Sequence, residues 1–303
     1  SICWLWFHHK VPVLIPHNAT NETTDEYKKD TPFSLVINES FLEKTQKSFT
    51  FTNERKLKQD DDAIVIFSSG SSGNPKSIIL SFQNLFYSAK GLNQVINFQE
   101  NDSWGLSLPH HHIAGFMIFM RAILGHGKVC CNENLNFKSP INFLSIVPAQ
   151  IQSVIKLKSS LTNIKLVLIG GSTWNNDDLK HLKQERIPFA TSYGMTEMCS
   201  TITFNFNGEY GLHSSGRLLP YRNLHVDLDK KIFLSGKTLF SYQFVNKKKV
   251  YPFNLNHQYL SNDLGKMEDH HLILKGRSDD VFISGGENIS PFKIKKEIMK
   301  IKG

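Results

Sequence analysis

Residues 62–77 read DAIVIFSSGSSGNPKS, an apolar run that passes directly into a loop rich in serine and glycine. The β-branched segment 63–67 is bounded by polar and turn residues, which predicts a buried strand. In the loop, Gly70 and Gly73 allow the backbone to turn tightly and to approach a ligand closely. Backbone N–H groups and serine hydroxyls can form a nest for an anion, and Lys76 adds a charge suited to phosphate. The serines concerned are Ser68, Ser69, Ser71 and Ser72.

The spacing of this loop excludes one phosphate-binding motif and favours another. A Walker A loop needs a second glycine at a position that, counted from Gly70, holds Pro75, which has no N–H to donate. Ser68–Lys76 instead resembles the phosphate loop of the adenylate-forming (AMP-binding) superfamily, with Ser77 in place of its usual final glycine. The resemblance implies that the loop binds the phosphates of ATP. A flexible serine-glycine loop without a ligand is the remaining alternative.

The rest of the chain alternates short apolar runs with amphipathic segments. A helix is predicted over residues 81–97, and strands are predicted at WGLSLP, KVCC, FLSIVP and IKLVLIGG, with helical segments between several of them. This alternation is typical of an α/β fold with a mainly parallel sheet. From about residue 205, short strands and turns dominate. Between residues 17 and 60, the apolar runs FSLVI and SFTF predict strands separated by surface segments.

Composition and charge restrict the class of protein. The 303 residues are 40% hydrophobic and 20% charged, which is ordinary for a globular chain and argues against disorder. The formal net charge of +8 favours anionic partners such as nucleotides or CoA. No signature of a nucleic-acid-binding fold accompanies the lysines, so no nucleic acid partner is expected.

Cysteine usage and hydropathy bear on the compartment. Four cysteines without a CxxC pair indicate reduced thiols, and hence an intracellular, cytoplasmic protein. No apolar run approaches the ~20 residues that a membrane-spanning helix needs. The chain begins with Ser rather than Met, so we expect earlier sequence to be missing.

Two further segments match the superfamily in the order that it uses. Residues 108–115, LPHHHIAG, resemble its L-P-x-x-H-x-x-G segment, which implies that His112 gates the acyl pocket. Three adjacent histidines also suggest a metal site, although alternation along an extended chain would point them to opposite sides. A purely structural His112 is another alternative. Residues 167–172, VLIGGS, resemble the turn that lines the adenine and acyl sites, which implies roles for Gly171 and Ser172.

Residues 191–197, TSYGMTE, resemble the adenine-binding motif of the superfamily. The resemblance implies that the Tyr193 ring packs on adenine and that Gly194 belongs to the same nucleotide-binding turn. It further implies that Thr196 helps to hold phosphate. Glu197 would supply a carboxylate to Mg²⁺, a hard cation that prefers oxygen ligands.

The segments YLSNDLG and GRSDDVFISGGENISP complete the set of motifs. By resemblance, Asp263 accepts hydrogen bonds from the ribose hydroxyls, and Arg277 contacts ribose and phosphate. The Thr-Gly pair that usually precedes this aspartate is Ser261-Asn262 here, a departure from the pattern. Asp279 falls on the hinge between a large and a small domain.

The resemblance also implies a domain organisation. An AMP-binding large domain of mixed α/β subdomains would cover residues 1–278, incomplete at its N terminus and with a β-rich subdomain over about 205–278. Residues 279–303 would be the hinge and the start of the small C-terminal domain. The superfamily carries a catalytic lysine near the end of that domain, and the lysines of 293–302 lie too early to replace it. We therefore expect this chain to bind ATP but to be nearly inactive in adenylation.

Within the superfamily the chain is most similar to the o-succinylbenzoate–CoA ligases of menaquinone synthesis, through residues 102–124, 191–201 and 282–291. Such enzymes convert a small-molecule carboxylate and ATP into acyl-AMP, which CoA then converts into a thioester. The resemblance therefore implies ATP, Mg²⁺ and CoA as ligands. The implied catalytic residues are Lys76, Glu197 and His112.

The substrate of those ligases, o-succinylbenzoate, is an aromatic dicarboxylate. An enzyme that binds it needs a cation or hydroxyl groups to hold the carboxylate that does not react. Arg121 is a candidate for that cation; the alternative is that Arg121 has only a structural role. Ser192 and Ser172 are candidates for lining the acyl pocket. Other acyl- or aryl-CoA ligases, a peptide-synthetase adenylation domain and a non-catalytic nucleotide-binding protein remain alternative functions. The sequence leaves open whether the protein forms a homo-oligomer.

Overall fold

The computed structural model describes residues 5–6, 10–16, 18–32, 56–69, 75–131, 135, 137, 139–279, 282–284, 287–289 and 298. Helices and strands alternate over the first two thirds of these residues, and strands follow. The helices with described bounds are α1 (Asn21–Asp30), α2 (Phe82–Ile96), α3 (Ile113–Leu124), α4 (Ile151–Lys156) and α5 (Asn176–Gln184). The strands are β1 (Val13–Leu14), β2 (Asp62–Ser69), β3 (Pro75–Ser81), β4 (Ser103–Leu106), β5 (Lys128–Cys131), β6 (Phe143–Ile146), β7 (Leu166–Ile169), β8 (Phe189–Thr191), β9 (Gly194–Met195), β10 (Ser200–Thr201), β11 (Thr203–Phe206), β12 (Gly216–Leu218), β13 (Arg222–Val226), β14 (Lys231–Gly236), β15 (Tyr242–Val245), β16 (Lys248–Val250), β17 (Tyr259–Glu268), β18 (His271–Arg277), β19 (Phe282–Ser284) and β20 (Glu287–Ile289).

An eleven-stranded sheet forms the centre of the fold, in the order β13-β14-β17-β18-β12-β11-β8-β7-β6-β4-β5. The strands β8, β7, β6, β4 and β5 are parallel to one another. The apolar runs of β4, β6, β7 and β8 are buried, as expected of parallel strands covered on both faces, whereas the edge strand β5 is half-buried or exposed. Trp104, Phe143 and Phe189 are at most 1% exposed. The predicted α/β class and all four predicted strands of this region are confirmed.

The antiparallel half of the same sheet begins where β11 pairs with β8. Strands β11 to β18 follow one another without an intervening α-helix in the described residues 203–277, in line with the strand-rich texture of the sequence. Six of these strands extend the central sheet, whereas β15 and β16 join a second sheet, β1-β2-β3-β15-β16. The domain boundaries expected from the sequence stay predictions.

A hairpin carries the two ends of the serine- and glycine-rich loop. Strands β2 and β3 pair antiparallel, with Ser69 opposite Pro75 and Ser68 opposite Lys76. The sequence predicted loop as far as Ser77, but the strand begins at Pro75. Proline is tolerated at the first residue of a strand, and burial of the apolar residues that follow stabilises the strand.

Helix α2 confirms the helix predicted over residues 81–97. Ser81 and Asn84 form a capping box at its start, and Asn97 ends it in the left-handed conformation with φ 52°. Helix α1 was not predicted, because its sequence is polar on all sides and only the N-cap at Thr20 marks it. The strands predicted at 33–37 and 48–51 lie outside the described residues. None of the helices in the described ranges is both long and apolar enough to cross a bilayer.

Candidate functional site

A tight hairpin after β8 holds the most specific of the sequence motifs. Strand β9 pairs with β10, so that Gly194 lies opposite Thr201. A Cβ on Gly194 would lie 2.3 Å from the Ser200 carbonyl oxygen, so only glycine fits this approach. The Ile202 N–H donates to the Tyr193 carbonyl at 2.7 Å and closes the hairpin. Thr196 and Glu197 therefore lie in a short turn between two paired strands.

Glu197 is the buried acid of this turn. It lies in a 3-10 turn, Thr196–Met198, its carbonyl accepts a 2.9 Å hydrogen bond from the Phe240 N–H, and it is 7% exposed. Burial raises the pKa of the Glu197 carboxyl, and the positive charges of Lys76 and Arg277 act against that rise. The negative charge of Asp263 raises the same pKa further. The four charged groups thus share one electrostatic environment although they are far apart in sequence.

The Tyr193 hydroxyl links the hairpin to the antiparallel half of the sheet. It donates a 2.7 Å hydrogen bond to Asp263 Oδ2, and the side chain is 6% exposed. Burial, followed by the charge of Asp263, raises the pKa of the phenol well above its usual value. The hydroxyl therefore stays protonated and donates to the carboxylate at neutral pH.

Asp263 and Arg277 are cross-strand partners in β17 and β18. Arg277 Nη1 lies 3.3 Å from Asp263 Oδ1, and Arg277 also binds Asp279 in a bidentate manner, with hydrogen bonds of 2.8 and 2.7 Å. Asn262 Nδ2 donates to Asp279 Oδ2 at 2.9 Å. The asparagine that departed from the sequence pattern therefore helps to hold the carboxylate at the expected hinge. The Arg277 guanidinium keeps the pKa of Asp279 below its usual value.

Tyr259 is a member of this group that the sequence analysis did not single out. It starts β17. Burial raises the pKa of its phenol, and the charges of Glu197 and Asp263 raise that pKa further. Its position at the head of the YLSNDLG motif was the only available signal.

The serine- and glycine-rich loop is described only at its two ends. Ser68 and Ser69 end β2, and Lys76 lies on β3 rather than in the loop. Lys76 is close enough to Glu197 for its charge to act on the pKa of that carboxyl. The candidates Gly70, Ser71, Ser72 and Gly73 lie outside the described residues.

The double-glycine turn after β7 lies against the start of the hairpin. Ser192 Oγ donates to the Ile169 carbonyl at 3.1 Å, and a Cβ on Gly170 would lie 2.7 Å from that hydroxyl oxygen. Gly171 has φ +85°, a conformation that favours glycine. Ser172 is exposed. Of the residues predicted to line the acyl pocket, Ser192 thus lies against the double-glycine turn.

His112 is the N-cap residue of α3 and is exposed. Its ring lies 4.3 Å from that of His111, centroid to centroid. The helix packs back on the preceding loop at Gly115, where a Cβ would lie 2.2 Å from the Pro109 carbonyl oxygen. The contacts found among the described residues do not link His112 to Glu197.

Arg121 lies on α3 and is 1% exposed. Its Nη2 donates to Ser200 Oγ at 3.2 Å and to Thr201 Oγ1 at 3.3 Å, and the guanidinium lies 5.1 Å from the Trp104 ring centroid. Its Nε has no hydrogen-bond partner in the described part of the chain. Arg121 therefore braces the hairpin from behind.

Glu197 is the metal ligand that the sequence predicted. No group of three His, Cys, Asp or Glu side chains able to hold a metal occurs in the described ranges. Glu197 is buried, the charge of Lys76 acts on the pKa of its carboxyl, and its oxygens are of the type that Mg²⁺ takes while keeping water and phosphate in its other positions.

Comparisons with known proteins show which proteins this chain is similar to. The family described as AMP-binding enzyme matches residues 8–233. The chain is 29% identical over 254 residues to 2-succinylbenzoate–CoA ligase of Listeria monocytogenes, covering 80% of this chain and 54% of the relative. It thus spans about half the length of the curated relatives it matches.

Two solved structures share the fold. A variant of Escherichia coli MenE with bound OSB-AMS is 26% identical with a TM-score of 0.72, covering 81% of this chain and 54% of that one. The o-succinylbenzoate CoA synthetase (MenE) of Bacillus subtilis, in complex with the acyl-adenylate intermediate OSB-AMP, has a TM-score of 0.81 at 20% identity and covers 99% and 66% of the two chains. The fold expected from the resemblance is confirmed.

Proposed function

Since the chain belongs to the family of AMP-binding enzymes, we propose that it is the nucleotide-binding body of an ATP-dependent carboxylate–CoA ligase. The proposed carboxylate is 2-succinylbenzoate, the substrate named in the relatives from Listeria and Escherichia coli. The proposed ligands are ATP, Mg²⁺ and CoA.

The observation that carries this proposal is the meeting of Tyr193, Asp263, Arg277, Glu197 and Lys76. The first three are joined by hydrogen bonds, and the charges of Asp263, Arg277 and Lys76 all act on the pKa of Glu197. A base needs an aromatic ring to stack on, and the hydroxyls of a ribose need a carboxylate that accepts hydrogen bonds. A polyphosphate needs cations. The five residues supply those groups from four separate parts of the sequence.

The proposed first step is adenylation. A carboxylate oxygen of the substrate attacks the α-phosphorus of ATP, the bond to the β-phosphate oxygen breaks, and pyrophosphate leaves. Lys76 and Arg277 would stabilise the charge that develops on the phosphate oxygens. Mg²⁺, held by Glu197, would supply further charge neutralisation and orient the phosphates.

The proposed second step is thioester formation. The sulfur of CoA attacks the carbonyl carbon of acyl-AMP, its proton is lost, and AMP leaves. His112, at the start of α3, is proposed to gate the acyl site. Asp279, held by Arg277 and Asn262, is the proposed hinge for the rearrangement between the two steps.

The dicarboxylate specificity is assigned to Arg121 together with Ser192. The buried Arg121 guanidinium has its Nε open among the described residues and lies beside the hairpin that carries Ser200. A second carboxylate would satisfy that donor, whereas a monocarboxylate would leave it unmet. Burial and repulsion by Arg222 lower the pKa of Arg121 to about 9, and an added carboxylate would offset both effects.

Calorimetric titration with acyl-adenylate analogues tests the proposal. We expect the analogue made from 2-succinylbenzoate to bind more tightly than one made from benzoate, and Arg121→Met to remove most of the difference. Arg217→Met, which removes an exposed arginine, is the control. Absence of binding by either analogue would refute the nucleotide site. Equal binding of both analogues would refute the assigned substrate alone.

A further inference from the structure

Two adjacent non-glycine residues in the hairpin have strained backbone angles. Cys199 has φ 55° and Ser200 has φ 88°, directly after the turn that carries Glu197. Such conformations are costly for residues other than glycine and persist only where the surroundings over-determine them. The position of Glu197 therefore depends on whatever holds these two residues.

A buried hydrogen-bond chain holds the Cys199 carbonyl. Ser88, a fully buried residue of α2, donates its hydroxyl to the Cys199 carbonyl oxygen at 2.5 Å. Arg222 Nη2 in turn donates to Ser88 Oγ at 3.1 Å and to the Ser88 carbonyl at 3.2 Å. Arg222 Nη1 donates to the Pro220 carbonyl at 2.7 Å, which fixes the guanidinium.

Arg222 is an unusual residue to find in this position. It is 3% exposed, and its Nε has no hydrogen-bond partner in the described part of the chain. The charges that act on its pKa include no carboxylate, and burial lowers that pKa to about 10, so the guanidinium is charged at neutral pH. Burying such a charge is costly, and a purely structural role could be filled by an apolar side chain.

Helix α2 is shaped to admit this guanidinium. Gly91 lies in the interior of α2, where glycine is less stable than alanine. A Cβ on Gly91 would lie 2.7 Å from Arg222 Nη1 and 2.8 Å from the Pro220 carbonyl oxygen. Glycine at position 91 thus lowers the stability of α2 but leaves space for the Arg222 side chain to reach Ser88.

We infer that Arg222 is a positioning residue for Glu197, acting through Ser88 and the strained Cys199–Ser200 turn. On the other side of the turn, Arg121 Nη2 binds Ser200 and Thr201, so two buried guanidiniums brace the hairpin from α3 and β13. The role of Glu197 toward Mg²⁺ rests on the proposed function, whereas the bracing of the turn does not.

The first test measures the order of the turn without any ligand. In Ser88→Ala, we expect amide hydrogen exchange of residues 194–202 to rise about ten-fold, because one buried hydrogen bond is lost. The matched control is Ser103→Ala, which also removes a buried hydroxyl donating to a carbonyl, that of Pro140 at 3.1 Å. Unchanged exchange in Ser88→Ala, or an equal rise in Ser103→Ala, would overturn the inference.

The second test compares ATP affinity with Mg²⁺ and with EDTA. We expect Ser88→Ala to reduce the tightening by Mg²⁺ about five-fold and to leave the metal-free affinity unchanged. Glu197→Gln is the reference: if it leaves the tightening intact, the proposed metal role fails. If Glu197→Gln abolishes the tightening and Ser88→Ala does not weaken it, the positioning role fails while the proposed function stands.

Discussion

The Tyr193 hydroxyl lies 2.7 Å from Asp263 Oδ2, and this hydrogen bond joins the hairpin after β8 to strand β17. Because Arg277 contacts the other oxygen of Asp263, the carboxylate is held on both sides. A carboxylate fixed in this way would already be oriented for the ribose of the proposed nucleotide, which would lower the entropy cost of binding.

Removing the Tyr193 hydroxyl should weaken nucleotide binding while the aromatic ring remains. In Tyr193→Phe we expect AMP affinity to fall about five-fold, because Asp263 loses its buried donor. Calorimetric titration measures this. Tyr242→Phe is a matched control, since Tyr242 makes a 2.5 Å hydrogen bond to Asp62 in the other sheet. Equal losses in the two variants would show a general effect on stability instead.

The buried Glu197 carboxyl should cost the unliganded protein stability at neutral pH. Its pKa is raised from 4.5, so between pH 4.5 and the raised pKa the folded state holds a proton that the unfolded chain has lost. Its contribution is fully present below pH 4.5 and is lost as pH rises through the raised pKa. We therefore expect Glu197→Gln to melt at a higher temperature than the natural chain at pH 7.5, with the gap closing near pH 4.5.

Added Mg²⁺ and ATP should reverse that order of melting temperatures, because only the carboxylate binds the cation. Glu185→Gln serves as the control, since Glu185 is paired with Lys158 at the surface and its pKa is lowered instead. A Glu197→Gln variant that melts below the natural chain at pH 7.5 without ligand would contradict the prediction.

The contact between Gly170 and Ser192 can be tested with a double mutant. Gly170→Ala places a Cβ 2.7 Å from Ser192 Oγ, and we expect it to lower the free energy of unfolding by about 1–3 kcal/mol. Ser192→Ala removes the obstructing oxygen, so the double variant should recover most of the loss. Urea unfolding of the four proteins gives the coupling. Strict additivity would mean that the cost arises elsewhere.

The Arg277 guanidinium donates hydrogen bonds to both Asp263 and Asp279. The two carboxylates compete with phosphate for this guanidinium, which should limit the affinity for a nucleotide. In Asp279→Asn we expect ATP to bind about three-fold more tightly, because a competing negative charge is removed. The effect should shrink as salt is added. Asp229→Asn, which breaks an exposed pair with Lys231, is the control. A fall in affinity would instead mean that Asp279 orients Arg277 for the ligand.

Asp279 also gives a pH prediction of opposite sign to that of Glu197. Its pKa is lowered by the hydrogen bonds from Arg277, so its contribution to stability is present above pH 3.8 and is lost as pH falls below that value. Acid unfolding of Asp279→Asn should therefore begin at a higher pH than in the natural chain, as followed by circular dichroism.

The sequence predicted an element correctly where the residues of that element alone form a recognisable hydrophobic pattern. The apolar runs predicted the parallel strands, and the amphipathic pattern of residues 81–97 predicted α2. The phosphate site predicted at the serine-glycine loop stays a prediction. Helix α1 and strand β3 were missed, because a polar helix has no apolar face and because Pro75 suggested a loop. In both cases contacts with the rest of the molecule stabilise what the local pattern does not indicate.

By itself, the sequence determined which side chains are available to bind a nucleotide and in what order they occur, since motif spacing is a local property. Only the tertiary structure decided that Tyr193 meets Asp263, that Asn262 supports Asp279, and that Arg222 reaches the turn beside Glu197 through Ser88. The physical reason is that strand register and helix packing bring together residues that are far apart in sequence, and no local pattern encodes that pairing.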